Sequence, residues 1–284
     1  MKCPKKIGSI KPNTVKAKTR HNIAVALLCL APLSGCVSGG GPKYISQNNV
    51  YSSKGGYNMI SLQQEIEIGQ HEFAKIKAKK PLTSDISKQQ AARRVLNHLV
   101  KANNLQNDYP WEIVVFADNT PNAFALPGGK IAIYDGIFKY TQNDEDLAAV
   151  ISHEMVHITA RHATQLVSRR MSAGLVGVGP ATFNGGPNTA QDPGQTLDTK
   201  TSAHIMLPYL REAEFEADRI GLLYMARAGY NPKASLRVWK RFVKSAGPCP
   251  PKTASTHPFI SERIKQIEMN LPHCFGVYNN SSRS

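Results

Sequence analysis

The 284-residue chain is short of acidic side chains, cysteine and long apolar runs. Five cysteines in a chain of this length do not make a disulfide scaffold, and a core of this size needs no staples. The run from Ile23 to Leu33 is only 11 residues. A bilayer-spanning helix takes about 20, so a multi-spanning membrane protein is excluded. No internal repeat is present, which excludes a solenoid. Asp and Glu number 20 against 35 Lys and Arg, a net charge of +15. An excess of that size points to nucleic acid or an anionic surface, unless the charge is unevenly placed. What remains is 41% hydrophobic and 19% charged, with 21 Gly and 18 Pro, which fits a globular chain and not a disordered or collagen-like one.

The charge is unevenly placed. Lys2, Lys5, Lys6, Lys11, Lys16, Lys18 and Arg20 precede the short apolar run, with no acid among residues 1–35. A basic segment followed by such a run reads as a secretory signal peptide. It ends in Leu33-Ser34-Gly35-Cys36, which resembles the bacterial lipobox. That resemblance implies cleavage before Cys36 and lipidation, including palmitate, on Cys36. Val37 at the next position implies sorting to the outer membrane of a Gram-negative bacterium, facing the periplasm. Residues 36–58, rich in Gly, Ser, Asn and Lys, then form the lipid anchor and a flexible tether. Without the leader the net charge is +8. The densest basic patch, residues 75–80, reads as a solvated helix end, and no nucleic-acid partner is expected. Cys249 and Cys274 are left as an even pair in an oxidising compartment. A disulfide is expected between them, constraining the unfolded chain by about 3 kcal/mol.

Apolar periodicity predicts a helix from Ser61 through Ile76 and a second over Lys88–Ala102, with Ala92, Val95, Leu96 and Leu99 inward. Strands are expected at Trp111–Phe116, Asn122–Leu126 and Lys130–Tyr134. The last two are joined by Pro127-Gly128-Gly129 as a hairpin-like unit. Asp144 to about Ala173 reads as one long helix with acids at its positive end. Residues 174–194, with six Gly and three Pro, read as a loop able to act as a lid. Further helices are expected over Tyr209–Arg227, Lys233–Lys244 and Pro258 to about Asn270. The elements do not alternate as βαβ units, so the fold class is α+β, helix-dominant. The folded domain is expected over 59–275, with 276–284 a disordered tail.

His153-Glu154-Met155-Val156-His157 is an H-E-x-x-H motif within a helix. Residues four apart leave the same face about 40° apart, so both imidazoles can clamp one Zn²⁺. Glu154 lies on the flank, where it can take a proton from water rather than bind the metal. Catalytic zinc takes a third protein ligand. The helix holding Glu212, Glu214, Glu216 and Asp218 is the source, and geometry alone does not choose among the three glutamates. Glu214 and Asp218 share a face at i,i+4, so Glu214 can bind metal while Asp218 orients a ligand histidine. His162, about 140° round the helix from His157, reads as structural.

Taken together, H-E-x-x-H at 153–157 and E-x-x-A-D at 214–218 resemble metallopeptidase family 48, which includes HtpX-like proteases and the CAAX prenyl endoprotease. Two further segments support the resemblance. Asn122, Ala123, Phe124, Ala125 and Leu126, with the Pro-Gly-Gly that follows, match an edge strand that pairs with substrate backbone. Thr256-His257-Pro258 with Arg263-Ile264 matches the T-H-P…R-I segment. The resemblance spans residues 60–270 and implies a zincin-like (gluzincin) metalloprotease fold. It also implies one zinc ion per chain, held by His153, His157 and Glu214, with Asp218 behind them. Leu210 replaces the usual Ser before Arg211. His257 and Arg263 are expected near the developing oxyanion as catalytic groups, and a Cys249–Cys274 bridge would bracket His257.

The expected function is a zinc-dependent endopeptidase on the outer membrane. It would cleave unfolded or misassembled envelope polypeptides in protein quality control, with the outer-membrane assembly machinery as a further partner. The alternative is a chaperone or assembly factor for outer-membrane proteins with a latent protease site. A zinc hydrolase acting on peptidoglycan amides is a weaker third reading.

Overall fold

A computed structural model describes residues 57–172, 199–246 and 260–281. Cys36, Cys249, His257, the leader 1–35, the loop 174–194 and all but the last two residues of the tether lie outside the described residues.

Helix α1 (Leu62–Lys79) starts at Ser61, whose hydroxyl accepts from Gln64 N–H while Gln64 returns a bond to Ser61 N–H. Its last turn carries Lys77 and Lys79. Around that end Lys75, Lys77 and Lys80 pair with Glu72, Glu112 and Asp118 at 2.9, 2.6 and 3.1 Å, so the basic patch is locally paired charge. Helix α2 (Ile86–Ala102) is capped by Asp85 and buries Ala92, Val95, Leu96, Leu99 and Val100.

Three strands follow: β1 (Glu112–Phe116), β2 (Ala123–Leu126) and β3 (Lys130–Tyr134). Their order is β1-β3-β2, with β1 parallel and β2 antiparallel to β3. Gly128 and Gly129 make the β2–β3 turn at φ 71° and 85°, a backbone region that side chains disfavour. The two edges of the sheet differ. Outside β1, Gln89 bonds both the N–H and C=O of Val115, Thr83 N–H donates to Val115 O, and Ala117 N–H donates to Pro81 O. That edge is filled. Strand β2 forms the other edge and packs on α3. Tyr134 N–H donates to Asn122 O at 2.9 Å, so Phe124 and Leu126 carry the next ladder bonds and the backbone of Ala125 turns away from β3.

Helix α3 (Asp144–Thr159) is the centre of the fold. Asn143 caps it, three acids occupy its first turn, and almost every residue from Asp146 to Ile158 is buried. It packs on α2, on the sheet, and on α5 (Thr199–Arg227) and α6 (Lys233–Ala246). Arg237 and Arg241 of α6 pair with the fully buried Asp146, tying α6 to its N-terminal end. The single helix expected over 144–173 is two helices. Helix α3 stops at Thr159, Arg161 adopts φ 58°, and α4 (His162–Ser172) begins in a new direction. The Arg161 side chain offsets its strained backbone. Its Nε donates to Glu65 at 2.7 Å and Nη2 donates to Ile60 O.

Helix α7 (Ile260–Ser281) also departs from expectation, running through Pro272 past residue 275. Leu271, Cys274, Phe275, Val277 and Tyr278 pack on Leu222 and Ala226 of α5, and Ser281 Oγ–H donates to Ala226 O at 2.7 Å. Tertiary packing on both sides of Pro272 thus outweighs the missing N–H. Residues 276–281 are therefore helix rather than tail. Cys274 is a fully buried thiol in this apolar cluster, and Cys249, its expected disulfide partner, lies outside the described residues. Among the described residues no helix is long and apolar enough to cross a membrane.

Candidate metal centre

Successive turns of α3 place His153 and His157 with their Nε2 atoms 3.1 Å apart. Helix α5 approaches α3 closely at Gly221, where a Cβ would lie 3.3 Å from His153 N. Two turns earlier on α5, Glu214 reaches both imidazoles. Its Oε2 is 3.4 Å from His153 Nε2 and its Oε1 is 3.6 Å from His157 Nε2. Glu212 is exposed and Glu216 turns to another partner, so only one of the three glutamates joins the histidines.

These separations test the fit to zinc. Donors at 2.0–2.1 Å from a tetrahedral ion stand about 3.3 Å from one another. The three observed edges bracket that value. Two imidazoles and one carboxylate also match a catalytic zinc set that leaves a fourth position for water. The electrostatics agree. Burial and the nearby Arg263 lower the His153 pKa, yet hydrogen bonds to Asp218 and Glu214 outweigh them and push it up to about 9. The pocket favours positive charge at this point. His153, His157 and Glu214 thus form a group able to hold a metal ion.

Asp218 lies behind the group, its Oδ1 3.1 Å from His153 Nδ1. Burial would raise its pKa, but Arg263 holds it below the ordinary value. Arg263 Nε and Nη2 donate to the two Asp218 oxygens at 2.7 Å each. Its Nη1 lies 2.7 Å from Glu214 Oε2 without the alignment of a hydrogen bond, and the guanidinium stacks over Trp239 at 4.3 Å. Arg263 has no exposed surface. The expected oxyanion role is therefore corrected: a guanidinium enclosed by two carboxylates and an indole presents no face to a substrate carbonyl. Glu154, on α3 beside His153, is 2% exposed, and its charge helps raise the Arg263 pKa.

His162 is the residue that a periodicity reading misplaces. The break at Arg161 returns it to the site, with its Nδ1 2.9 Å from His157 Nδ1 and its Nε2 3.2 Å from Glu216 Oε2. Extrapolating a continuous helix put it on the far side, and no Gly or Pro marks the break.

A small cleft is lined by Ala125, Leu126 and Pro127 from the β2 side and by His157, Ile158 and Arg161, so β2 and one histidine of the metal group border the same space. An H-E-x-x-H helix, a glutamate from a second helix and a small three-stranded sheet define a zincin-like metallopeptidase. Residues 87–270 match peptidase family M48, and the chain belongs to that family. It is a metalloendopeptidase. It is similar to "Mitochondrial metalloendopeptidase OMA1" of Schizosaccharomyces pombe, 31% identical over 83% of this chain and 70% of that protein. The protein of the same name in Saccharomyces cerevisiae is 34% identical over 64% of this chain and 53% of its own length. "Beta-barrel assembly-enhancing protease" of Escherichia coli K12 is 28% identical over 72% and 43%. The chain thus spans between 43% and 70% of these relatives' lengths.

The yeast relatives correct the expected localisation. Two relatives of at least 31% identity are mitochondrial proteins, which points away from a Gram-negative outer-membrane lipoprotein. A basic, acid-poor N-terminus is common to secretory leaders and organelle transit segments, so its charge does not distinguish them.

Proposed function

We propose that the chain is a zinc endopeptidase that cleaves unfolded or misassembled polypeptides laid as an added strand along β2. The observation that carries this reading is the cleft lined by both Ala125 of β2 and His157 of the metal group. An incoming segment pairs with the outer edge of β2 through main-chain bonds, so recognition depends little on sequence. The Escherichia coli relative's name, which joins protease to β-barrel assembly, supports misassembled polypeptides as substrates.

His153, His157 and Glu214 would hold one Zn²⁺, which would supply Lewis-acid chemistry and acidify water there. Glu154 accepts the proton of the attacking water and hands it to the leaving amine. Asp218 holds the His153 ring in place, and Arg263 balances the charge of Asp218 and Glu214 within the buried interior.

The test compares wild type with Glu154→Gln on unfolded casein, with zinc content measured in both. Both proteins should hold about one zinc ion. The variant should lose cleavage by a factor of about 10²–10⁴. Undiminished cleavage by the variant would remove Glu154 from the mechanism. Wild type that prevents casein aggregation without cutting it would make the chain a holdase instead.

A further inference from the structure

We infer that His162 and Glu216 act as a relay that fixes the tautomer of His157 and so sets the chain's affinity for zinc; this rests on the zinc reading above. His157 presents Nε2 to His153 and Glu214. A nitrogen that binds metal must be unprotonated, so the His157 proton sits on Nδ1. The acceptor in line is His162 Nδ1 at 2.9 Å. With Nδ1 accepting, His162 carries its own proton on Nε2, which donates to Glu216 Oε2 at 3.2 Å. Every donor meets an acceptor in one direction only, and the chain ends on a carboxylate. Reversing it would put a proton on His157 Nε2, facing the metal position.

The other histidine is oriented differently. His153 Nδ1 meets the Asp218 carboxylate directly. At His157 an imidazole stands between the ring and its carboxylate. The relay also depends on the Arg161 joint, because only the break between α3 and α4 carries His162 back to His157. His162 is 5% exposed, so water does not readily replace it. His162 and Glu216 are thus positioning residues, acting on zinc through His157.

The experiment measures zinc affinity of the full chain by competition with a chromogenic chelator. The visible spectrum of the cobalt(II)-loaded protein reports the geometry of the ligands. His162→Leu removes the acceptor and should weaken zinc binding about 10–100-fold while altering the cobalt spectrum. His162→Asn places an amide oxygen near the lost Nδ1 and should recover most of the affinity. Glu216→Ala should weaken binding, and Glu216→Gln, which keeps an acceptor for the Nε2–H, should weaken it less. Far-UV circular dichroism of the zinc-free proteins checks folding. Should His162→Leu fail to fold, the two Glu216 variants decide. Wild-type affinity in folded His162→Leu overturns the relay, as does an Asn variant as weak as the Leu one. Failure of wild type to bind zinc at all overturns the zinc reading instead.

Discussion

Replacing Arg263 with Met should destabilise the chain more than any surface change, and the structure sets the size. The guanidinium has no exposed surface and faces two carboxylates, Asp218 through two bonds of 2.7 Å and Glu214 at 2.7 Å, each 5% exposed. Methionine fills a similar volume but leaves two buried anions with the His153 imidazole as the one remaining cation against both of them. Breaking a buried pair from one side costs about 3–5 kcal/mol, including the lost stacking on Trp239. Against a total of about 5–15 kcal/mol, that is a large fraction. Urea unfolding of the zinc-free protein, with chelator present, measures it without metal linkage. At a slope of about 2.5 kcal/mol/M the midpoint should fall by about 1–2 M. Adding Asp218→Asn removes one stranded anion, so the double variant should lose less than the sum of the singles by about 0.5–3 kcal/mol. A loss under about 1 kcal/mol, or strict additivity, would refute the view that Arg263 neutralises this cluster.

Ala125→Pro removes an N–H that points away from β3, so the sheet should persist while kcat/KM on unfolded casein falls about fivefold to tenfold, the worth of one hydrogen bond; unchanged kinetics would move substrate off β2. Gly69→Ala forces a Cβ to 1.8 Å from Pro127 O, whereas Gly276 has open space. Thermal melts should show a loss of about 1–3 kcal/mol for the first and none for Gly276→Ala. Burial pushes the Cys274 thiol from its ordinary 9.0 up to about 12. Between those values the unfolded chain releases this proton and the folded chain keeps it, so stability falls as pH rises from 9 towards 12. Cys274→Ala should flatten that fall in urea titrations, and a slope equal to wild type would count against it.

The parts legible in the sequence are those encoded locally. His153 and His157 sit one helical turn apart, Glu214 and Asp218 likewise, and their spacing alone predicts a shared face. Residues 127–129 announce the turn beside β2 because glycine is needed at positive φ. The relay was not legible, because the bend that makes it lies at Ala160-Arg161, where no residue favours a break. Arg161 is held there by Glu65 and Ile60, about a hundred residues away. Arg263 was misjudged for the same reason. Arg263 was expected at the oxyanion, but Asp218 and Glu214 of α5 and Trp239 of α6 close around it. Pro272 reads as a helix stop until packing on α5 carries the helix past it.

Under the proposed strand addition, the shortness of β2 sets how long a captured segment stays. Four residues offer about two to four main-chain bonds to a new strand, at about 1 kcal/mol each. That corresponds to a dissociation constant of about 1 mM or weaker. With ordinary association rates, an uncut segment leaves within about 10 milliseconds. The enzyme therefore samples many segments briefly and commits to those it cuts before they depart. A chain whose backbone is already paired in its own fold never competes for the edge. Under that pairing, discrimination between folded and unfolded proteins comes from residence time on a four-residue strand.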